Sequence, residues 1–258
     1  MQIQNLSCGY AKKNIVSDIS FNLGAGELIC ILGPNGVGKT TLFKTILGFL
    51  PRQGGEILLD GVDIKKFPRK KLAQKIAYVP QAHIPPFPFT VQDVILMGRT
   101  SRFDGSRSPR PADYQKVDEL LELLHIGHLA NRIYTEISGG ERQMVLVVRA
   151  LAQEPQYLIM DEPTSNLDFG NQMRVLEQVM HLKKEGIGIV MTSHYPDHVF
   201  LCSSKVLLMK RNNTYCLGTS DEVLTEDNLR EAYGINVKII SARDEDGTTY
   251  KSCVTKLN

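Results

Sequence analysis

The sequence has no apolar run long enough to cross a bilayer. Its longest, such as MVLVV at 144–148, fall far short of the ~18 residues a spanning helix needs. Any membrane role therefore requires another chain to do the spanning. The opening MQIQNLSCGY lacks both a basic n-region and an apolar h-region, so no signal peptide is expected and the default compartment is the cytosol. Cysteine is sparse and unpatterned. Cys8, Cys30, Cys202, Cys216 and Cys253 are odd in number and form no CxxC pair, which excludes a disulfide framework or zinc site and implies a reducing compartment. Charge of one sign is also lacking. With 30 basic and 28 acidic residues the net charge is +2, so electrostatics name no partner and no nucleic acid is expected. Internal repeats, low-complexity segments and heptad runs are absent too.

What remains is an ordinary globular composition, 42% hydrophobic and 22% charged, over 258 residues with length for a buried core. Residues 1–32 run in short apolar pieces broken by turn residues, as β-structure does. A strand pair is expected over 57–64 around Asp60-Gly61. The stretch TTLFKTILGFL at 40–50 has helical spacing. From Pro80 to Pro111 the character changes, with six of the twelve prolines and arginines 99, 102, 107 and 110. Within it Thr90 can cap a short helix, VQDVILM. DYQKVDELLELLH at 113–125 is amphipathic. The helix after ISGG at 137–140 presents residues 144, 145, 147, 148, 151 and 152 on one face. Then come a strand at 157–160, a helix near 171–185 and a strand at 187–193. A hairpin turns at Asn212-Asn213, a helix lies near 221–233, and INVKII is the final strand. Alternating strands and helices predict an α/β protein with a mainly parallel sheet covered on both faces. An inserted helical subdomain is expected between two of its strands.

GPNGVGKT at 33–40 matches GxxxxGK[ST] between a strand, LICIL, and a helix. Gly33, Gly36 and Gly38 allow a loop whose N–H groups surround a β-phosphate. Lys39 supplies charge to the β- and γ-phosphates, and Thr40 offers a hydroxyl to Mg²⁺. In open α/β sheets ligands sit at the carboxyl ends of strands. Gln81 follows IAYVP, Asp161 and Glu162 follow YLIM, and His194 follows IVMTS. Asp161 suits the second shell of Mg²⁺, and Glu162 can orient or deprotonate an attacking water. Gln81 can help hold metal and water, and His194 can reach a γ-phosphate. The ISGG segment is a second anion cradle, with Ser138 as N-cap and Gly139 and Gly140 permitting close approach.

In this order the motifs resemble those of the ATP-binding subunits of ABC transporters over essentially the whole chain. They are Tyr10, the P-loop, Gln81, ISGGE, YLIMDE, and SNLD at 165–168 followed by His194. The resemblance implies a P-loop NTPase sheet core with an N-terminal antiparallel β subdomain (1–81 and 154–258) and a helical subdomain carrying the signature motif (82–153). It implies that Tyr10 stacks on adenine and that Gly33, Pro34, Asn35, Gly36, Val37, Gly38, Lys39, Thr40 and Thr41 hold the phosphates. Thr40, Gln81 and Asp161 serve the metal, and Glu162, His194, Gln81 and Lys39 serve catalysis. Two subunits would pack head to tail, so that Ser138, Gly139 and Gly140 of one close over the ATP of the other, with Asp168 at the seam. Separate permease subunits, an external substrate-binding protein and a place on the cytoplasmic face of the membrane follow from the same resemblance. TVQDVILMGRT at 90–100 looks like the importers of iron–siderophore complexes, haem, cobalamin or molybdate. An exporter subunit and a soluble ABC ATPase are the alternatives. Two positions depart from the family pattern: Glu141 where glutamine is common, and Asn166 where alanine is usual.

Overall fold

A computed structural model describes residues 1–11, 13–81, 87–103 and 108–255. In chain order its elements are β1 Gln2–Tyr10, β2 Lys13–Asn22, β3 Leu28–Leu32, α1 Lys39–Ile46, β4 Arg52–Leu59, β5 Val62–Asp63, α2 Arg69–Lys75 and β6 Ile76–Val79. There follow α3 Val91–Leu96, a 3₁₀ segment Met97–Arg102, α4 Pro111–Leu123, α5 Gly139–Leu151, β7 Tyr157–Met160 and α6 Phe169–Lys184. The chain then forms β8 Gly188–Thr192, α7 Pro196–Cys202, β9 Lys205–Met209, β10 Tyr215–Gly218, α8 Ser220–Val223, α9 Glu226–Tyr233, β11 Val237–Arg243 and β12 Thr249–Thr255. The start of the expected helical subdomain at 82 and Arg107 of the proline-rich loop lie outside the described residues. Two compact units result, Met1–Lys66 with Gly188–Asn258, and Phe67–Ile187.

In the first unit, β3 pairs in parallel with both β8 and β9, and β10 is antiparallel to β9. Every residue of β3 (LICIL) and β8 (GIVMT) is buried. Such unbroken apolar strands belong to the centre of a parallel sheet covered on both faces. The antiparallel sheet has the order β2-β1-β4-β5. Its last turn is the expected one: Asp60 and Gly61 both have positive φ, and Leu59 pairs with Val62, as a two-residue hairpin requires. The free edge of β2 is closed by a side chain. Tyr215 Oη donates to Asp18 O at 3.0 Å and accepts from Ser20 N at 3.2 Å.

In the second unit β6 and β7 are parallel, with Val79 opposite Met160, so both carboxyl ends lie together. Thr90 caps α3 in a full capping box with Asp93. The apolar positions foreseen on α5 are all buried, yet Leu146 and Gln143 are buried as well, so the helix is enclosed on more than one face.

Three expectations need revision. The helix near 221–233 is two helices, because the Thr225 side chain accepts from Asn228 N and starts a new one. The final strand is the first half of a hairpin, β11–β12. The VQDVILM helix tightens into 3₁₀ at Met97.

Candidate active site

The first unit carries Tyr10, the P-loop and His194. Where β3 ends, Gly33 has φ +151°, and a Cβ there would lie 2.7 Å from Met209 O and 3.0 Å from Val37 Cγ1. At Gly38, φ +112°, a Cβ would lie 2.6 Å from Val16 Cγ2. The loop is thus pressed against β2 and β9 at its two ends and admits no side chain at either. Lys39 is only 6% exposed. Its ammonium donates to Gly33 O at 2.7 Å and Pro34 O at 3.2 Å. The amide of Gly33 in turn donates to Tyr233 Oη at 3.1 Å. Burial, above all, pushes that phenol up to about 12, so it remains a neutral hydroxyl. No side chain caps α1, in contrast to α3, α5 and α6, whose first turns are capped by Thr90, Ser138 and Asp168. An uncapped helix start with a buried ammonium beside it is the donor set a polyphosphate needs. Asn35, Gly36 and Thr40 are exposed there, Val37 is half-buried, and Thr41 is buried. Tyr10 ends β1 with its ring exposed, and His194 is half-buried two residues past β8.

The second unit carries Gln81, Asp161, Glu162, the ISGG segment and Asp168. Gln81 Nε2 donates to Glu162 Oε2 at 2.8 Å, so the structure joins two of the expected residues directly. Asp161 is buried, its amide bonded to Val79 O at 2.9 Å, and Tyr78 Oη lies 3.5 Å from its carboxylate. Burial, and then that carboxylate, raise the Tyr78 phenol to about 12. Glu162 has φ +49°, a left-handed conformation a non-glycine residue adopts at a cost of roughly 1–2 kcal/mol. The turn that imposes it is closed by Ser165, whose amide and hydroxyl donate to Glu162 O at 3.0 and 2.9 Å. Strain of this kind aims a carboxylate that a relaxed backbone would turn elsewhere.

Ser138 is exposed and makes a reciprocal capping box. Its Oγ accepts from Glu141 N at 3.3 Å, and Glu141 Oε2 accepts from Ser138 N at 2.7 Å. The Ser138 hydroxyl beside it first, and then the bond from the Ser138 amide, hold the Glu141 carboxyl below its usual range. The departure at 141 leaves the cap intact, since glutamate and glutamine both close such a box. Asp168 caps α6 through Asn171, accepting from its amide at 2.9 Å and its Nδ2 at 2.6 Å. Sequence reasoning did not single out Asn171. A Cβ on Gly140 would lie 2.5 Å from Asn171 Cγ, so this one side chain fills the space between Gly140 and Asp168.

A backbone phosphate cradle at the end of a buried parallel strand, with a carboxylate pair at the end of another, defines an α/β P-loop nucleotide-binding protein. The chain belongs to the ABC transporter family, whose model matches residues 16–165. It is 40% identical to an uncharacterized ABC transporter ATP-binding protein of Haemophilus influenzae, over 93% of this chain and 91% of that one. It is 34% identical to the molybdate import ATP-binding protein MolC of Haemophilus influenzae, covering 89% and 86%. With the lipopolysaccharide export ATP-binding protein LptB of Escherichia coli it shares 31%, covering 89% and 95%. A solved structure described as an inward-facing transporter of metal-chelate type matches with a TM-score of 0.89 at 31% identity, covering 99% and 97%. The chain is accordingly an ATP-binding subunit whose ATP hydrolysis is coupled to transport and which partners membrane permeases. No helix among the described residues is long and apolar enough to cross a membrane.

The contact at Gly140 sets a first test. Gly140→Ala drives its methyl group into Asn171 and should lower the stability of the chain by about 1–3 kcal/mol in urea unfolding. In an Asn171→Ala background the same change should cost almost nothing. Equal costs in both backgrounds would show that Asn171 does not set the space at Gly140.

Proposed function

We propose that the chain powers an importer for a metal chelate, haem, cobalamin or an oxyanion such as molybdate, from the cytoplasmic face of the membrane. The observation that carries the enzymatic part is the Gln81–Glu162 contact of 2.8 Å beside a strained backbone. A carboxylate held at both its oxygen and its backbone is oriented before substrate arrives. In this reading Glu162 accepts a proton from water, the water oxygen bonds the γ-phosphorus, and the bond to the β–γ bridging oxygen breaks as ADP leaves. Lys39 leaves the carbonyls of Gly33 and Pro34 for the phosphates. Tyr10 stacks on adenine, and His194 meets the γ-phosphate. Thr40, Gln81 and Asp161 would hold Mg²⁺, which neutralises charge on the β- and γ-phosphates. A hydroxyl, an amide oxygen and a carboxylate are the oxygen donors a hard cation takes. Two copies bind head to tail, with Ser138, Gly139 and Gly140 of one over the nucleotide of the other and Asp168 at the seam. The core is 1–81 with 154–258, and the helical subdomain is 82–153.

A groove of about 350 Å³ in the second unit, lined by Phe89, Asp93, Leu96, Met97, Thr100, Phe103 and Pro109, suits a short helix of a permease. Phe87, 64% exposed, stands beside it with its ring edge-on to Phe89. The import direction is favoured by the molybdate import relative, the metal-chelate structure favours that class of cargo, and the lipopolysaccharide relative favours an exporter. An external binding protein would deliver the cargo.

Glu162→Gln keeps the hydrogen bond to Gln81 within reach but loses the base. It should bind ATP, form ATP-dependent dimers visible by light scattering, and hydrolyse ATP slower by about 10³-fold or more. Near-normal turnover would remove Glu162 from the role. For direction, a tagged copy should bring its permease out of native membranes. In proteoliposomes with the ATPase outward and the binding protein within, ATP should drive ferric siderophore, haem, cobalamin or molybdate out of the lumen. Movement into the lumen would identify an exporter.

A further inference from the structure

The helix that begins with the ISGG segment, α5, is held at its other end by residues the catalytic reading leaves unused. The last carbonyls within α5, of Ala150 and Leu151, accept from Gln153 N and Glu154 N, and the turn that follows presents the carbonyls of Ala152, Gln153 and Glu154 to side chains. Arg99 Nη1 donates to Ala152 O at 2.9 Å. Arg102 donates to Gln153 O from Nε at 3.0 Å and from Nη2 at 2.8 Å, and Nη2 also donates to Glu154 O at 3.0 Å. Arg99 is fixed in turn by Asp113 at 3.0 Å and Glu154 at 3.1 Å. The side chains of Arg99 and Asp113 are only 12% and 11% exposed. A guanidinium so enclosed and bonded on several nitrogens has one geometry available to it.

Both arginines come from the 3₁₀ segment Met97–Arg102, in which residues three apart share a face. Met97, Thr100 and Phe103 form one row and line the groove described above. Arg99 and Arg102 form a second row and hold the turn that follows α5. Between them Gly98 lies against the helix itself, since a Cβ there would sit 2.1 Å from Arg149 O. The segment is also tied to α2, where Gln74 Nε2 donates to Ser101 O at 2.8 Å and Lys70 to Phe103 O. The groove wall and the clamp are two sides of six residues. α5, 13 residues long, reaches about 20 Å from that clamp to Ser138 and Gly140.

We propose that Arg99 and Arg102 are positioning residues that bind the groove segment and the signature helix into one mechanical body. A side-chain change in the groove row is thereby felt at Ser138 and Gly140 at the far end of α5. This rests on the reading that ISGG meets the nucleotide of a second copy.

The test uses the full chain in a Glu162→Gln background, with MgATP as the probe. Arg99→Met should leave the ATP affinity of the single chain within about twofold while raising the chain concentration needed for ATP-driven dimers at least about tenfold. Arg99→Lys should recover part of that loss, because an ammonium keeps the charge but lacks the planar fork that meets Asp113, Glu154 and the Ala152 carbonyl together. Thr100→Trp, which fills the groove, should shift dimerisation while the arginines are intact and have no effect with Arg99→Met. An equal shift in both backgrounds overturns the proposal, as does unchanged dimerisation with Arg99→Met. Should Arg99→Met melt the chain, Arg102→Met gives the same readings, its side chain being 31% exposed and outside the Asp113 pair. Affinity and dimerisation falling together with the melting temperature would mean plain stabilisation and overturn the proposal. If Glu162→Gln alone forms no ATP-dependent dimer, the two-copy reading fails and this one falls with it.

Discussion

An ammonium buried at the end of a parallel strand needs oxygen around it, and the structure is arranged to supply it. Lys39 is held by two carbonyl dipoles of its own loop. In the proposed reading a phosphate, with full negative charge, takes the same place and displaces them. For that exchange the loop must keep its shape while its lysine changes partner. Met209 and Val37 crowd Gly33, Val16 crowds Gly38, and the Tyr233 hydroxyl takes the Gly33 amide. Those contacts rest on β3, buried between β8 and β9. The sheet therefore serves chiefly to hold a strip of bare backbone rigid.

A second strip of backbone, at ISGG, is prepared differently. Ser138 caps its own helix, its hydroxyl accepting from the Glu141 amide while the Glu141 carboxylate accepts from the Ser138 amide. Gly140 is forced by Asn171, which also bonds to Asp168. The far end of the helix closes in a turn with Glu154 at φ +51°, and arginines hold the carbonyls of that turn. One helix start is uncapped and stands on a sheet. The other is capped, and side chains tie down the turn at its far end.

Much of this was legible because the signals are local. The caps at Thr90 and Ser138 and the Asp60-Gly61 turn each depend on residues within four positions, and the P-loop on eight. The strands β3, β7 and β8 are apolar throughout and could be read directly. Long-range constraints were not legible. Nothing in the letters around Gly98 indicates that a carbonyl fifty residues away occupies the place of its side chain. The positive φ of Glu162 follows from the turn closed by Ser165, and an acidic residue gives no sign of it. β12 escaped notice because TYKSCVT is largely polar and half exposed, so pairing with β11 and bonds to Asp197 define it rather than burial.

The central claim is that one chain supplies halves of two sites. Lys39→Ala removes the ammonium from the P-loop, and Ser138→Arg puts bulk and charge at the start of the signature helix. Each mutant homodimer then has two broken sites. In a head-to-tail mixed dimer both lesions fall in one site and the other is whole. With both mutants shown to be folded and to exchange subunits, an equal mixture should trap ATP at about a quarter of wild-type sites. A mixture that traps no more ATP than either mutant alone would contradict the account.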